Sequence, residues 1–269
     1  MKPAKSIILP ATGTLLVAIA AQSNAASVSW DGGGGDGLWD TATNWSGDVL
    51  PANGDDVTIN GASVASTEFN TGFNLTLSGN ATLTDPVTSF AGGVWRGGGA
   101  NVTVEAGSTF GGGGFYDLQN VTLNFVDGSL LNVGDWEQKD TNVFNFELSS
   151  SGFTKLNAGT FRIGNGGLTA DIANATYNVD MASYTGGTGV IELVDFSGDS
   201  APGGMDNATF TNVTTGANLN VLNAGSYVAN IQWNDTTEAI ELNITAVPEP
   251  GSLALISLGG LLIVRRRRG

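Results

Sequence analysis

The sequence predicts an all-β protein: an irregular parallel β-helix, or solenoid, closed by an antiparallel sheet at its C-terminal end. Three observations predict it. Apolar side chains alternate at period two in stretches of three to six residues, and no helical period persists over ten or more. The first apolar positions of those stretches, Val57, Leu75, Val102, Val121, Phe144, Phe161 and Tyr177, follow at steps of 18, 27, 19, 23, 17 and 16 residues. These steps centre near the ~20 residues of one solenoid coil. Glycine, asparagine, aspartate and serine bound each stretch, as turns with positive φ require, and the chain holds 40 glycines in 269 residues. A β-sandwich is the alternative fold, because strands between turns spaced ~8–12 residues apart leave a similar trace.

Residues 1–25 read as a signal peptide with an N-terminal signal helix. Lys2 and Lys5 precede an apolar stretch from Ile7 to Ala21, and Ser23 and Ala25 satisfy the small-residue rule for a cut between Ala25 and Ala26. Residues 26–189 form the solenoid body. It opens on three tryptophans, Trp30, Trp39 and Trp45, set around a glycine run that Asp31 and Asp36 flank. A solenoid end exposes backbone and an apolar cross-section, which large aromatics plug. A sugar-stacking platform on the same three rings is the alternative. Asp31, Asp36 and Asp40 offer hard oxygen ligands suited to calcium. Calcium-binding nonapeptides work as stacked arrays, and no repeat is present here, so a glycine loop with solvated acids is preferred to a metal site.

Residues 190–246 form a C-terminal β cap. Val190–Phe196, Thr209–Thr214, Tyr227–Trp233 and Ala239–Ile244 read as strands, and the short turn at residues 234–238 makes the last two an antiparallel hairpin. Residues 247–269 are the tail. An apolar run from Leu253 to Val264 is short of the ~20 residues that span a bilayer comfortably, yet the four arginines behind it carry a strong positive-inside signal. The tail is therefore read as a C-terminal transmembrane helix with both basic chain ends in the cytoplasm and everything between them exported.

Composition excludes several functions. The chain has no histidine and no cysteine, which removes a Ser-His-Asp triad, an imidazole base, thiolate chemistry and Cys/His metal sites. Six of ten basic residues lie at the extreme ends. Between them Arg96, Lys139, Lys155 and Arg162 stand against all 25 acids, a balance of −21. That field repels phosphate backbones, so nucleic acid is not a partner. A glycosidase needs two carboxylates at a set separation, and none lies in a recognisable motif. The expectation is no enzymatic activity.

The tail resembles the sorting domain of PEP-CTERM proteins: Pro248, Glu249 and Pro250, an apolar helix, then Arg265, Arg266, Arg267 and Arg268 at the chain end. The resemblance covers about the last 23 residues. It implies that a membrane-embedded exosortase with a cysteine nucleophile reads Pro248, Glu249 and Pro250, while the arginines stop transfer. The stretch from Trp30 to Trp45 resembles the opening of autotransporter-like β-helix proteins. Together these readings predict an exported bacterial protein of the cell surface or extracellular matrix, transiently held in the membrane, with a structural or adhesive role. A carbohydrate-binding module is the alternative and a polysaccharide lyase or glycosidase a distant third. The expected partners are the exosortase and extracellular polysaccharide; no cofactor is expected beyond the calcium already weighed.

Overall fold

A computed structural model describes residues 25–66, 68–69, 73–84, 94–96, 99–139, 141–163, 175–196 and 218–247. The signal segment, the expected strand Thr209–Thr214 and the tail from Pro248 through Arg265–Arg268 lie outside the described residues. The chain begins with β1 (Ser27–Ser29) and a single 3-10 turn (Ala42–Asn44). Then come β2 (Asp56–Asn60), β3 (Ser63–Ala65), β4 (Glu68–Phe69), β5 (Asn74–Ser78), β6 (Thr82–Thr84) and β7 (Val94–Arg96). The middle holds β8 (Asn101–Val104), β9 (Thr109–Gln119), β10 (Thr122–Val126), β11 (Leu130–Lys139), β12 (Val143–Glu147) and β13 (Leu156–Ile163). β14 (Thr176–Asp180), β15 (Gly189–Asp195), β16 (Leu219–Leu222), β17 (Tyr227–Asn234) and β18 (Ala239–Ala246) complete it.

Two sheets run the length of the molecule. The first has the order β1-β2-β5-β8-β10-β12-β14-β16, and the second β17-β18-β15-β13-β11-β9-β6-β3, with β7 joining β4 to β9. In the first sheet, and in the second from β3 to β15, every described pair is parallel. Among the described strand pairs, β15–β18 and β17–β18 alone are antiparallel. A sandwich of antiparallel hairpins is thereby ruled out. The parallel solenoid stands, and so does its antiparallel C-terminal closure.

Register explains why one apolar row per strand is enough. Val57, Leu75, Val102, Leu123, Phe144 and Tyr177 lie directly over one another, as do Ile59, Leu77, Val104, Phe125, Phe146 and Val179. All are buried. Each side chain lies over its counterpart in the next coil, so the first sheet contributes a pair of columns to the core. Where the columns turn aromatic the rings stack, Phe144 on Tyr177 at 5.2 Å and Phe125 on Phe146 at 6.0 Å. Such offset pairs add about 0.5–1.5 kcal/mol beyond burial.

The corners between the sheets are tight turns. The amides of Ala81, Ser108 and Ser129 donate to the carbonyls of Ser78, Glu105 and Val126. At two of these corners glycine is required twice over. Gly79 and Gly107 have φ of 61° and 79°, and the side chains of Asn60 and Asn80 occupy the space where a Cβ would stand.

One expectation about spacing is corrected. Each coil contributes a strand to both sheets, and Phe161 belongs to β13 in the second sheet, not to a further coil of the first. The first-sheet strands β10 and β12 begin 21 residues apart, whereas β12 and β14 are 33 apart. The second-sheet strands were hard to read because β9 carries four consecutive glycines, a composition depleted in strands.

Candidate functional site

Three places combine exposed polar groups with ordered geometry. The first is the N-terminal end. Trp45 is fully buried, and its indole Nε1 donates to the Trp39 carbonyl at 2.7 Å. Trp30 and Trp39 meet it edge-on at 5.0 and 4.5 Å, and Trp39 reaches Phe73 at 5.3 Å. Leu38 bridges to Ala65 on the second sheet while β1 edges the first, so the tryptophan segment lies across the end of both. Trp39 is 6% exposed. Two of the three rings expected to form a sugar platform, Trp39 and Trp45, lie inside the core, and Trp30 is half-buried against them, an arrangement that suits a plug.

The acidic loop serves that plug. The Asp36 carboxylate accepts from Thr41 Oγ1 at 2.6 Å, Asn44 Nδ2 at 2.6 Å and the Leu38 amide at 3.0 Å. These hydrogen bonds, that of Thr41 foremost, hold its pKa below the usual carboxylate value. Asn44 is fully buried and also donates to the Leu38 carbonyl. Asp31 accepts from the Gly33 amide, and Asp40 is exposed. Among the described residues no three acidic side chains gather into a metal-holding group. Asp31, Asp36 and Asp40 are thus not brought together as calcium ligands; Asp36 ties the loop to the turn beneath the tryptophans.

The second place is the outer face of the first sheet. Its central row places Thr58, Thr76, Thr103, Asn124, Asn145, Asn178 and Asn220 in register across seven coils. The asparagines form a ladder. Asn220 donates to Asn178, Asn178 to Asn145, Asn145 to Asn124 and Asn124 to Asn101, at 2.8, 2.7, 2.6 and 2.7 Å. Each amide passes an N–H to the preceding coil, and at the start of the ladder Asn124 also donates to the Val102 carbonyl at 3.1 Å and to Thr103 Oγ1 at 3.3 Å, so amides repeat along the face at the ~4.8 Å strand spacing. A groove of about 240 Å³ follows this row from Thr103 to Asn178, with Glu147 and Asp180 at its sides. The strand pattern announced the polar face, but not the ladder. Its signal is an asparagine, otherwise depleted in strands, recurring between two apolar residues at Leu123–Phe125, Phe144–Phe146 and Tyr177–Val179.

The third place is an open groove of about 680 Å³ where β13, β15 and the hairpin meet, lined in part by Lys155, Glu192, Gln232 and Glu241. Lys155 pairs with Asp195 and, at 3.1 Å, with Glu192. The hydrogen bond to Asp195, then that to Glu192, raises its pKa, so it is held as a cation and is unsuited to act as a base. Glu241, 3% exposed, accepts from Asn234 at 2.7 Å, Gln232 at 3.2 Å and Thr237 at 3.3 Å. The carboxylate is occupied by the hairpin that carries it.

The class these observations define is an all-β parallel solenoid closed at both ends. Residues 246–268 match the PEP-CTERM protein-sorting motif. The match starts at Ala246, the last residue of β18, and Val247 adds one more backbone bond, to the Ser226 carbonyl. No curated protein and no solved structure matches the chain. The motif supports an exported, envelope-associated protein sorted by an exosortase, a membrane protein. Among the described residues no helix is long and apolar enough to cross a membrane; the expected transmembrane helix lies outside them.

Proposed function

We propose that the chain is a non-catalytic structural or adhesive protein of the cell surface or extracellular matrix, held in the membrane until its tail is processed. The observation that carries this is the unbroken polar row of the first sheet. A periodic array of hydroxyls and amides suits a periodic partner, and extracellular polysaccharide is the one we assign. The groove along the row is below the ~300–1,000 Å³ of a small-molecule pocket, which favours contact along a line. The tryptophan plug supports an autotransporter-like opening to the body. β18 pairs through Ala246, where the sorting motif begins, which supports processing of the tail without opening the sheet.

Binding of the processed protein to the host's matrix polysaccharide tests the reading. Strength should rise steeply with polymer length through avidity and fall when Asn124, Asn145 and Asn178 are replaced by leucine. A carbohydrate-binding module, the second reading, is favoured by the same groove and predicts saturable 1:1 binding of a short oligosaccharide. Release of sugar fragments would overturn both.

A further inference from the structure

Ala26 lies beside the carboxylate of Asp55. Asp55 is 8% exposed, and its two oxygens accept the Ala26 amide at 3.0 Å and the Ala52 amide at 2.7 Å. Ala26 is held at its other end too, its carbonyl accepting from the Asp56 amide at 2.8 Å. Residues 44–60, which among the described residues include every segment hydrogen-bonded to β1, carry Asp48, Asp55 and Asp56 and no positive side chain; no lysine or arginine occurs between residues 6 and 95. The carboxylate of Asp56 is already engaged by Asn74 Nδ2 at 2.8 Å. A carboxylate so far removed from water is stabilised most by an adjacent cation.

We propose that the α-amino group freed at Ala26 docks on Asp55 as an ammonium–carboxylate pair, so that removal of the signal peptide completes the N-terminal end of the rod. The inference rests on the cut between Ala25 and Ala26. A membrane peptidase hydrolyses that amide: the C–N bond breaks, the oxygen of water goes to the Ala25 carbonyl carbon, and the products are a carboxylate on Ala25 and an ammonium on Ala26. The nitrogen already donates to Asp55 as an amide. Cleavage adds two protons and a full positive charge at the same position, and charge-assisted hydrogen bonds are about twice as strong as neutral ones. The pair would raise the amine's pKa in the fold. Its stabilisation is then complete below the unfolded value of ~7.7–8.0 and is lost as pH climbs through the raised value.

The full chain, processed in its native host's envelope, provides the test. N-terminal sequencing should begin at Ala26; any other start overturns the cleavage reading and this inference with it. Titration of the α-amine by pH-dependent labelling should give a value above the ordinary ~7.7–8.0, returning to that range in Asp55→Asn. A start at Ala26 with an ordinary titration in the wild type overturns the inference and leaves the processing reading intact. If Asp55→Asn does not fold, acetylating the wild-type α-amine keeps the N–H and removes the charge. Acetylation should lower the Tm at about pH 7, with the gap closing by about pH 10 as the free amine loses its proton. Equal Tm values at the lower pH overturn the pairing.

Discussion

The two ends of the rod face one problem and solve it differently. At the N-terminal end, three tryptophans lie across the last coil, Asp36 and Asn44 fasten the loop that carries them, and Asp55 holds the Ala26 amide beside it. At the C-terminal end the chain reverses instead. β18 runs antiparallel to β15, β17 runs antiparallel to β18, and the buried Glu241 gathers Gln232, Asn234 and Thr237 around the hairpin turn. Both ends bury aromatic area, with Trp233 of the hairpin stacking on Phe196 at 5.9 Å, but the second adds antiparallel strand pairing. A plug needs no continuing chain direction, whereas the hairpin also has to deliver the tail at Ala246.

The comparison can be broken most decisively at Trp45. Trp45→Ala should cost about 3–5 kcal/mol, the range for removing a buried aromatic. Because coils touch only their neighbours, hydrogen exchange should accelerate in β1–β3 while β17 and β18 keep their protection. Equal acceleration at both ends would mean that the rod unfolds as one unit. At the other end, Glu241→Leu leaves Gln232 and Asn234 without their acceptor and should cost about 1–3 kcal/mol, with faster exchange in β18. Glu241→Gln keeps an acceptor oxygen and should cost less.

A substitution in the middle gives the baseline for both ends. The hydroxyls of Ser108 and Ser129 are buried without a hydrogen-bond partner, at a corner where the preceding coil has Ala81. Ser129→Ala should therefore stabilise, by about 1 kcal/mol, read as a higher Tm. The smallest effect expected is one of pH. Asp36 has a pKa below its ordinary 3.8, chiefly through Thr41. A depressed carboxylate contributes stability above the unfolded value and loses it as pH falls through the folded one. Acidification from about pH 5 to below the folded value should loosen the N-terminal loop before the hairpin, and Asp36→Asn should abolish that difference in exchange.

The alternating stretches were legible because a half-buried strand writes its burial into every second residue. Leu75, Val102, Val121 and Phe144 were expected inside and are buried. The hairpin was legible for a similar reason, with a polar turn between two alternating runs. The second sheet was not, since β9 and β11 do not follow the simple alternation and β9 is rich in glycine. The acids of the opening loop were legible as a group but not in their work. Nothing local distinguishes Asp36, which ties the loop, from Asp40, which stays exposed.

By itself the sequence determined the chemistry this protein is denied, the two basic ends that frame an acidic body, and the strands that stack as coils. Composition and period are properties of the chain, and a solenoid repeats them coil by coil. Tertiary structure alone decided which tryptophans were core and which asparagines formed a ladder. It also decided that Asp55 would stand beside Ala26. Each of these depends on residues far apart in sequence meeting across a coil, and register between coils is set by the packing of the whole column rather than by any one stretch of it.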